Sequence, residues 1–399
     1  MQTKKRILFI AEAVTLAHVA RPYVLASALD PESYEIRFAC DPRFNTLFDF
    51  SNLNFCNIES IPTTQFLDAL AKGSPVYNAA TLKQYVLDDL VLLDDFKPDI
   101  VVGDFRLSLA ISARLRNVPY ITITNAYWGP YTMQHFPVPD IPITSLFGPT
   151  IAQKLFDIAR PLAFRLHTRP FNRVCMAFGL PRLSNDLREI YTHADLTLYA
   201  DLPDMFETSK LSEHHQFIGP IIWSPDVKLP EWWQDIPENK PVIYLTLGSS
   251  GKANLLPTIL KALGQMPVTV LFAQAGNKDS LRLPQNTFAH DYLPGNLAAA
   301  KADLVICNGG SPTTQQALAE GTPVLGVPSN LDQYLNMQAI EAKKAGILLR
   351  SDRTTKEALI SSIQKILSTP RYAQSAQQLS HALKKYNARE RFPVLLETN

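Results

Sequence analysis

Residues 302–336 read ADLVICNGGSPTTQQALAEGTPVLGVPSNLDQYLN, a short apolar run that ends near a glycine pair and passes at once into helical spacing. Leu304–Cys307 has the length and β-branched content of a strand. Gly309 and Gly310 let the backbone turn tightly, Ser311 is placed as an N-cap, and Pro312 fits the first helical position. A helix is expected over Thr313–Glu320, followed by a second strand at Val324–Val327. Strand, tight turn, helix and strand in that order make a βα unit of a parallel sheet. A helix start behind glycines also presents unpaired N–H groups and the positive end of the helix dipole, which suits a phosphate or diphosphate without a metal. The same residues would serve in an ordinary βα turn, and the local pattern leaves both readings open.

Outward from this segment the alternation continues. Val242–Leu247 and Val268–Phe272 are further strands upstream, and Ile7–Ala11, Tyr34–Cys40, Asp99–Asp104 and Tyr120–Thr124 repeat the pattern in the first half. His18–Leu29, Leu82–Phe96 and Leu107–Asn117 carry helical spacing between them. From Tyr127 to Pro149 an aromatic, proline-rich stretch leaves the sheet, and long excursions of this kind are often functional. A second proline-rich passage, from Gly219 to Lys240, reads as a linker. Thr354–Leu367 and Ala373–Asn387 have the spacing of terminal helices with polar faces. The expected fold class is α/β, with two Rossmann-like domains whose parallel sheets face a central cleft. Their expected limits are 1–218 and 241–399 around a linker at 219–240, with the last helix packing back on the N-terminal domain.

Composition agrees with two ordinary cores. The 399 residues exceed one comfortable domain, and 46% hydrophobic against 19% charged residues leaves ample apolar material to bury. Thirty-eight basic and thirty-seven acidic residues give a net charge of +1, so the whole chain has no electrostatic footprint for nucleic acid. Lys4, Lys5 and Arg6 before Ile7–Ile10 imitate a signal peptide, but Glu12 and His18 interrupt the apolar run, and no run is long enough to span a bilayer. Cys40, Cys56, Cys175 and Cys307 lack metal-ligand spacing and fit reduced thiols of a cytoplasmic protein. His135, His167, His193, His214, His215 and His290 show no metal spacing either, so no metal is expected. No nucleophile elbow or Walker phosphate loop occurs in the sequence, and the absence of a G-x-G-x-x-G turn after the first strand argues against a redox enzyme.

The 302–336 segment resembles the nucleotide-sugar signature of the UDP-glycosyltransferase superfamily, including its bacterial macrolide-type members. The pattern H-G-G-x-G-T-x-x-E-A-L, G-x-P and D-Q-x-x-N is matched at Gly309, Gly310, Thr313, Ala317, Leu318, Gly321, Pro323, Asp332, Gln333 and Asn336. Asn308 stands where the family has a phosphate-binding histidine, Gln316 where it has a ribose-binding glutamate, and Pro312 where it has a glycine. Asparagine and glutamine still donate and accept hydrogen bonds but carry no charge. Tyr244–Ser250 is similar to the first strand and turn of the family's donor domain, and Tyr292-Leu293-Pro294 to the loop against the nucleobase. The resemblance implies a donor site made by Gly248, Ser249, Leu293, Asn308, Gly309, Gly310, Ser311, Thr313, Thr314, Gln316, Asp332 and Gln333. Asp332 and Gln333 would contact the transferred sugar; the alternative for Asp332 is a cap on the helix it precedes.

The catalytic candidates lie in the first half. His18 sits where a strand turns into a helix, at the carboxyl end of a parallel strand, and the resemblance matches it to the family's G-H-x-x-P segment with Ala17 for the glycine and Pro22 one residue late. A histidine there can take the proton of an acceptor hydroxyl as its oxygen attacks the anomeric carbon. Asp104, at the end of the strand 99–104, would orient that ring; capping the next helix is its alternative role. Glu12 is a competing base or sugar contact, and Tyr127, Trp128, Tyr131 and Phe136 are candidates to line an apolar acceptor pocket. The implied activity is inverting transfer of a hexose or deoxyhexose from a UDP- or TDP-sugar to a small acceptor, with the donor as co-substrate and no cofactor. A homodimer is allowed for. Two rivals remain: a non-catalytic nucleotide-sugar-binding or auxiliary protein, and a nucleotide-sugar epimerase.

Overall fold

The computed structural model describes residues 4–237, 239–276 and 281–398; Glu238 of the expected linker and the first three residues lie outside them. The chain divides into two compact units. The first comprises Met1–His135, Phe147–Ile221 and Tyr386–Asn399, the second Phe136–Leu146 and Ile222–Lys385. Two short pieces therefore group away from their sequence neighbours: part of the aromatic excursion joins the second unit, and the C-terminal helix joins the first.

The first unit holds β1 (Lys5–Ala11), β2 (Tyr34–Cys40), β3 (Phe55–Asn57), β4 (Ile100–Asp104), β5 (Tyr120–Thr124), β6 (Leu196–Tyr199) and β7 (His215–Phe217). They pair in the order β3-β2-β1-β4-β5-β6-β7, all parallel. The residues Ile7–Ala11 are all fully buried, as expected of a strand covered on both faces by crossover helices. On one face Leu8, Ile10 and Val101 pack with Val86, Leu93 and Ile111 from the helices Ala79–Phe96 and Leu109–Arg116. On the other, Phe9 lies 6.2 Å from Phe38 and 6.1 Å from Phe392 of the helix Ala388–Thr398. Gly219 accommodates the return of that C-terminal segment: its φ is +95°, and a Cβ there would sit 2.5 Å from the Tyr386 carbonyl oxygen.

The second unit holds β8 (Val242–Thr246), β9 (Thr269–Ala273), β10 (Thr287–His290), β11 (Leu304–Cys307), β12 (Val324–Gly326) and β13 (Gly346–Leu348). Their order is β10-β9-β8-β11-β12-β13, again parallel throughout. Ile243, Leu245, Val270 and Ile306 form one core with the helices Leu256–Leu263 and Lys356–Ser368.

In each sheet the order reverses once, between β1 and β4 and between β8 and β11. At such a reversal successive crossovers leave toward opposite faces, and a crevice opens outside the carboxyl ends of the strands. The expected catalytic pair follows β1 and ends β4, and the expected donor turns follow β8 and β11. No helix among the described residues is long and apolar enough to cross a membrane.

Candidate active site

At the first reversal the helix Leu16–Ala26 begins two turns before Pro22 and carries His18 and Arg21 on one face. His18 Nδ1 lies 2.8 Å from Asp104 Oδ1. With a proton on Nδ1 donated to the carboxylate, Nε2 is left as the basic nitrogen of the ring. The imidazole stacks on Phe105 with ring centroids 4.8 Å apart and planes 16° from parallel. Phe105 reaches that position through a left-handed backbone, φ +56°, which an aromatic residue adopts only at a cost of about 1–3 kcal/mol. Such strain is repaid by the remaining structure, and here it sets the floor under the histidine.

Asp104 is fully buried and does more than orient His18. Arg21 approaches it two-pronged, Nε to Oδ2 at 2.7 Å and a terminal nitrogen to Oδ1 at 2.7 Å, while its other terminal nitrogen donates to Asn125 Oδ1 at 2.8 Å. Asn125 in turn donates to Asp201, which also accepts the Ala126 N–H at 2.7 Å. The dyad is thus one end of a buried chain His18–Asp104–Arg21–Asn125–Asp201. Arg21, Asn125 and Asp201 escaped the sequence reading; the signal that could have found Arg21 was its position three residues after His18.

Glu12, weighed as a competing base or sugar contact, requires correction. Its side chain is fully buried, with one carboxylate oxygen accepting from Tyr85 at 3.0 Å and the other from Arg106 at 2.9 Å. Arg106 is itself fully buried, also donates to Asp89 and the Glu59 carbonyl, and lies over the Tyr85 ring. Burial pushes the Glu12 and Asp89 carboxyls up, opposed by the Arg106 charge. The cluster ties the end of β1 to the turn after β4, so its work is structural.

The aromatic candidates also separate. Tyr127 is fully enclosed, packing on Trp128 and Phe206. Trp128 meets Tyr191 edge-on and Tyr131 meets His215. Phe136 is buried and groups with the second unit. Tyr127 and Phe136 are therefore packing residues in this conformation, and Trp128 and Tyr131 are the half-buried ones.

At the second reversal the turn after β11 is built differently from the expectation in one detail. The helix starts at Ser311 and runs to Ala319, with Gly310 rather than Ser311 as its N-cap. No side chain caps this helix, and Asn308 braces the turn before it: its Oδ1 accepts the Gly310 N–H at 3.1 Å and its Nδ2 donates to Ser250 Oγ at 3.1 Å. Asn336 Nδ2 donates both to the Gly309 carbonyl at 2.8 Å and to Thr314 Oγ1 at 2.9 Å. Thr314 is fully buried and donates to the carbonyls of its own first turn, so its hydroxyl belongs to the scaffold rather than to an exposed donor surface. Thr313 remains half-buried and Ser311 buried at the helix start.

Gly309 is the residue this turn cannot replace. Its φ is +83°, and a Cβ would stand 2.6 Å from Met337 Cγ. Gly309→Ala is expected to lower stability by ~1–3 kcal/mol through backbone strain and overpacking, read as a fall in the thermal midpoint. An unchanged midpoint would show that the turn relaxes without cost.

The loop after β8 faces the same turn. Gly248 has φ +59°, Ser249 is exposed, and Ser250 links to Asn308 through its hydroxyl and to Gln333 Nε2 through its carbonyl at 3.4 Å. Gln333 is buried and its Oε1 accepts from the Ser329 N–H at 3.0 Å, so its amide is engaged in holding two loops. Asp332 lies in the first turn of the helix Leu331–Ala342, whose cap is Asn330 and not Asp332. Gln316 Nε2 donates to the Trp223 carbonyl and its amide lies against Gly295. Leu293 is buried. Sequence reasoning quoted Ser250 and Asn336 without giving either a role. Among the described residues no group of three His, Cys, Asp or Glu is arranged to hold a metal ion.

Comparison with known proteins decides what this arrangement belongs to. Residues 257–387 match the family model "Erythromycin biosynthesis protein CIII-like, C-terminal domain". The chain is 48% identical to the PGL/p-HBAD biosynthesis glycosyltransferase of Mycobacterium tuberculosis, over 95% of this chain and 89% of that protein. It belongs to that glycosyltransferase family. A PGL/p-HBAD biosynthesis rhamnosyltransferase of Mycobacterium bovis is also 48% identical, over 95% of this chain and 84% of its own length. A Mycobacterium bovis relative described as an inactive PGL/p-HBAD biosynthesis glycosyltransferase is 48% identical over 66% of this chain and 72% of its own. The spinosyn forosaminyltransferase structure shares the fold at a TM-score of 0.72, with 17% identity over 99% of both chains. The resemblance to macrolide-type glycosyltransferases drawn from residues 302–336 and the two-domain parallel α/β architecture both hold. Membership in this family makes the chain a glycosyltransferase and sets aside the epimerase.

Proposed function

We propose that this glycosyltransferase moves a deoxyhexose, of the rhamnose class, from a nucleoside-diphosphate donor to a hydroxyl of a PGL/p-HBAD-type acceptor, with inversion at the anomeric carbon. The observation that carries the reading is the His18–Asp104 pair at 2.8 Å, at the carboxyl end of the sheet where the order of strands reverses. In the step itself the acceptor oxygen gives its proton to His18 Nε2 and forms a bond to the anomeric carbon. The bond from that carbon to the diphosphate oxygen breaks, and its electron pair leaves with the diphosphate. Asp104 stabilises the imidazolium that forms. Arg21 grips both oxygens of Asp104 and lies beside His18 Nδ1, which holds the carboxylate in place.

In the second unit the start of the helix Ser311–Ala319 and the 248–250 loop offer N–H and O–H donors toward the leaving diphosphate. Asn308 serves that group indirectly, by fixing the Gly310 N–H and the Ser250 hydroxyl. The reading therefore makes Ser249, Ser250 and Thr313 the direct diphosphate contacts and Asn308 the support of the turn between them. No metal or cofactor is invoked, and the nucleotide sugar is a co-substrate.

A second reading, a non-catalytic partner that binds a nucleotide sugar, draws on two observations. The Asn308 and Gln316 amides are both spent on the protein's own backbone or loops, and one relative is described as inactive. Purified protein incubated with TDP-rhamnose, UDP-glucose and a set of phenolic acceptors separates the two. A glycosylated phenol of inverted anomeric configuration by NMR is the expected result. Calorimetric binding of the donor with no product and no donor hydrolysis would establish the partner reading instead.

A further inference from the structure

A long helix follows the kink at Gly148 and runs to Ala177. Phe147, Ile151, Leu155, Ile158, Leu162 and Leu166 are all substantially exposed, Ile158 to 80% and Leu162 to 59%. From Ile151 onward their spacing of four, three, four and four residues places them on one face of an α-helix, and Phe147 precedes the break at Gly148. At about 1.5 Å per residue the stripe from Ile151 to Leu166 is roughly 22 Å long, far more than isolated surface leucines produce. Nothing in the transfer reaction uses it.

The charges on that helix point to what would cover the stripe. Lys154, Arg165, Arg169 and Arg173 are exposed, and turning by about 100° per residue brings Arg165, Arg169 and Arg173 onto the continuation of the apolar face. Asp157 is the one acidic residue from 149 to 177. A chain with net charge +1 therefore concentrates four exposed cations along this exposed apolar helix face. A second copy laid on the stripe would drive these cations against apolar rows or against one another. An anionic bilayer surface satisfies both parts: the aliphatic and aromatic side chains enter the acyl boundary, and the lysine and arginine heads reach lipid phosphates. The helix is too charged to cross the membrane, and none of the described helices meets that requirement.

We infer that the face carrying Ile158 and Leu162 is a docking surface for an anionic lipid bilayer, on which the helix 149–177 lies in the plane of the interface. The full chain is tested by co-sedimentation with phosphatidylglycerol vesicles and with pure phosphatidylcholine vesicles. Pelleting with phosphatidylglycerol should exceed that with phosphatidylcholine by roughly tenfold or more and fall with added salt. The double variant Ile158→Glu/Leu162→Glu should lose roughly tenfold in vesicle binding, as should Arg165→Glu/Arg169→Glu. All four positions are exposed, and unchanged circular dichroism verifies that each variant folds. Equal binding by wild type and both variants, or no binding to either vesicle, would overturn the inference. So would a wild-type dimer by light scattering that becomes monomeric in Ile158→Glu/Leu162→Glu, which would assign the stripe to a second copy.

Discussion

His18→Ala is expected to lower turnover by about 10²–10⁴-fold, the range usual for removing a positioned general base, while leaving the affinity for the nucleotide donor within about twofold. The two halves of this expectation come from different places in the fold. His18 lies on the first unit with its Nδ1 committed to Asp104, whereas the diphosphate contacts argued above all lie on the second. The side chain is 18% exposed and rests on Phe105, so its removal opens little core and the variant should stay folded. Turnover measured by product formation and donor affinity by calorimetry on the same preparation give both quantities. Turnover reduced less than tenfold would remove His18 from the proton transfer, and an equal loss of donor binding would mean that it acts by holding substrate. Asp104→Asn is a sharper probe of orientation, because the amide can still accept from Nδ1 but cannot stabilise the imidazolium. It also leaves the Arg21 guanidinium without its carboxylate, so its turnover is to be compared at matched folded fraction.

Arg106→Met should be the most destabilising single change in the first unit, by about 3–5 kcal/mol, because breaking a buried ion pair strands its partners. Two carboxylates face this one guanidinium, Glu12 at 2.9 Å and Asp89 at 3.1 Å, and all three side chains are fully buried. Methionine replaces the volume but not the charge or the donors. The pH dependence has a definite sign. Burial already pushes both carboxyls above their ordinary values, and removal of Arg106 takes away the interaction that opposes this. A carboxyl raised in the folded state stabilises the fold while protonated and loses that contribution as pH rises through its folded pKa. The deficit of the variant should therefore shrink from pH 8 toward pH 5. Adding Glu12→Gln and Asp89→Asn should recover most of the loss, since the stranded charges are then gone. Denaturant midpoints across this pH range, followed by a probe of the first unit, measure all three. A single variant within about 0.5 kcal/mol of wild type would show that the cluster is dispensable to the fold.

The fold was legible because its signals are local. Leu304–Cys307 and Tyr120–Thr124 are strands at the bounds their uncharged, β-branched runs suggest, since every residue of each is buried. The strands that escaped, Phe55–Asn57, Leu196–Tyr199, His215–Phe217, Thr287–His290 and Gly346–Leu348, are only three or four residues each. Runs so short cannot show a period, and their pairing is supplied by the strand beside them. The expected cap at Ser311 fell one position late: the helix already includes Ser311, and Gly310 before it takes the extended cap conformation with no side chain to bond the first turn.

Of the candidate site, the sequence by itself determined the residue types at two strand ends: a histidine after β1, a carboxylate at the end of β4, and a glycine turn with a helix start after β11. Adjacent chemistry of that kind is written in consecutive residues, and the family signature at 302–336 carries it with its spacing intact. Only the tertiary structure decided how those groups are used. It made Glu12 a buried partner of Arg106, made Thr314 and Gln333 supports, and added Arg21, Asn125 and Asp201 behind the dyad. Apart from Thr314, whose hydroxyl donates within its own turn, these outcomes depend on partners far away in the chain, Asp104 lying 83 residues from Arg21 and Arg106 lying 94 from Glu12. Whether a polar side chain faces a substrate or another side chain depends on which elements are packed against it, and local patterns contain no record of that.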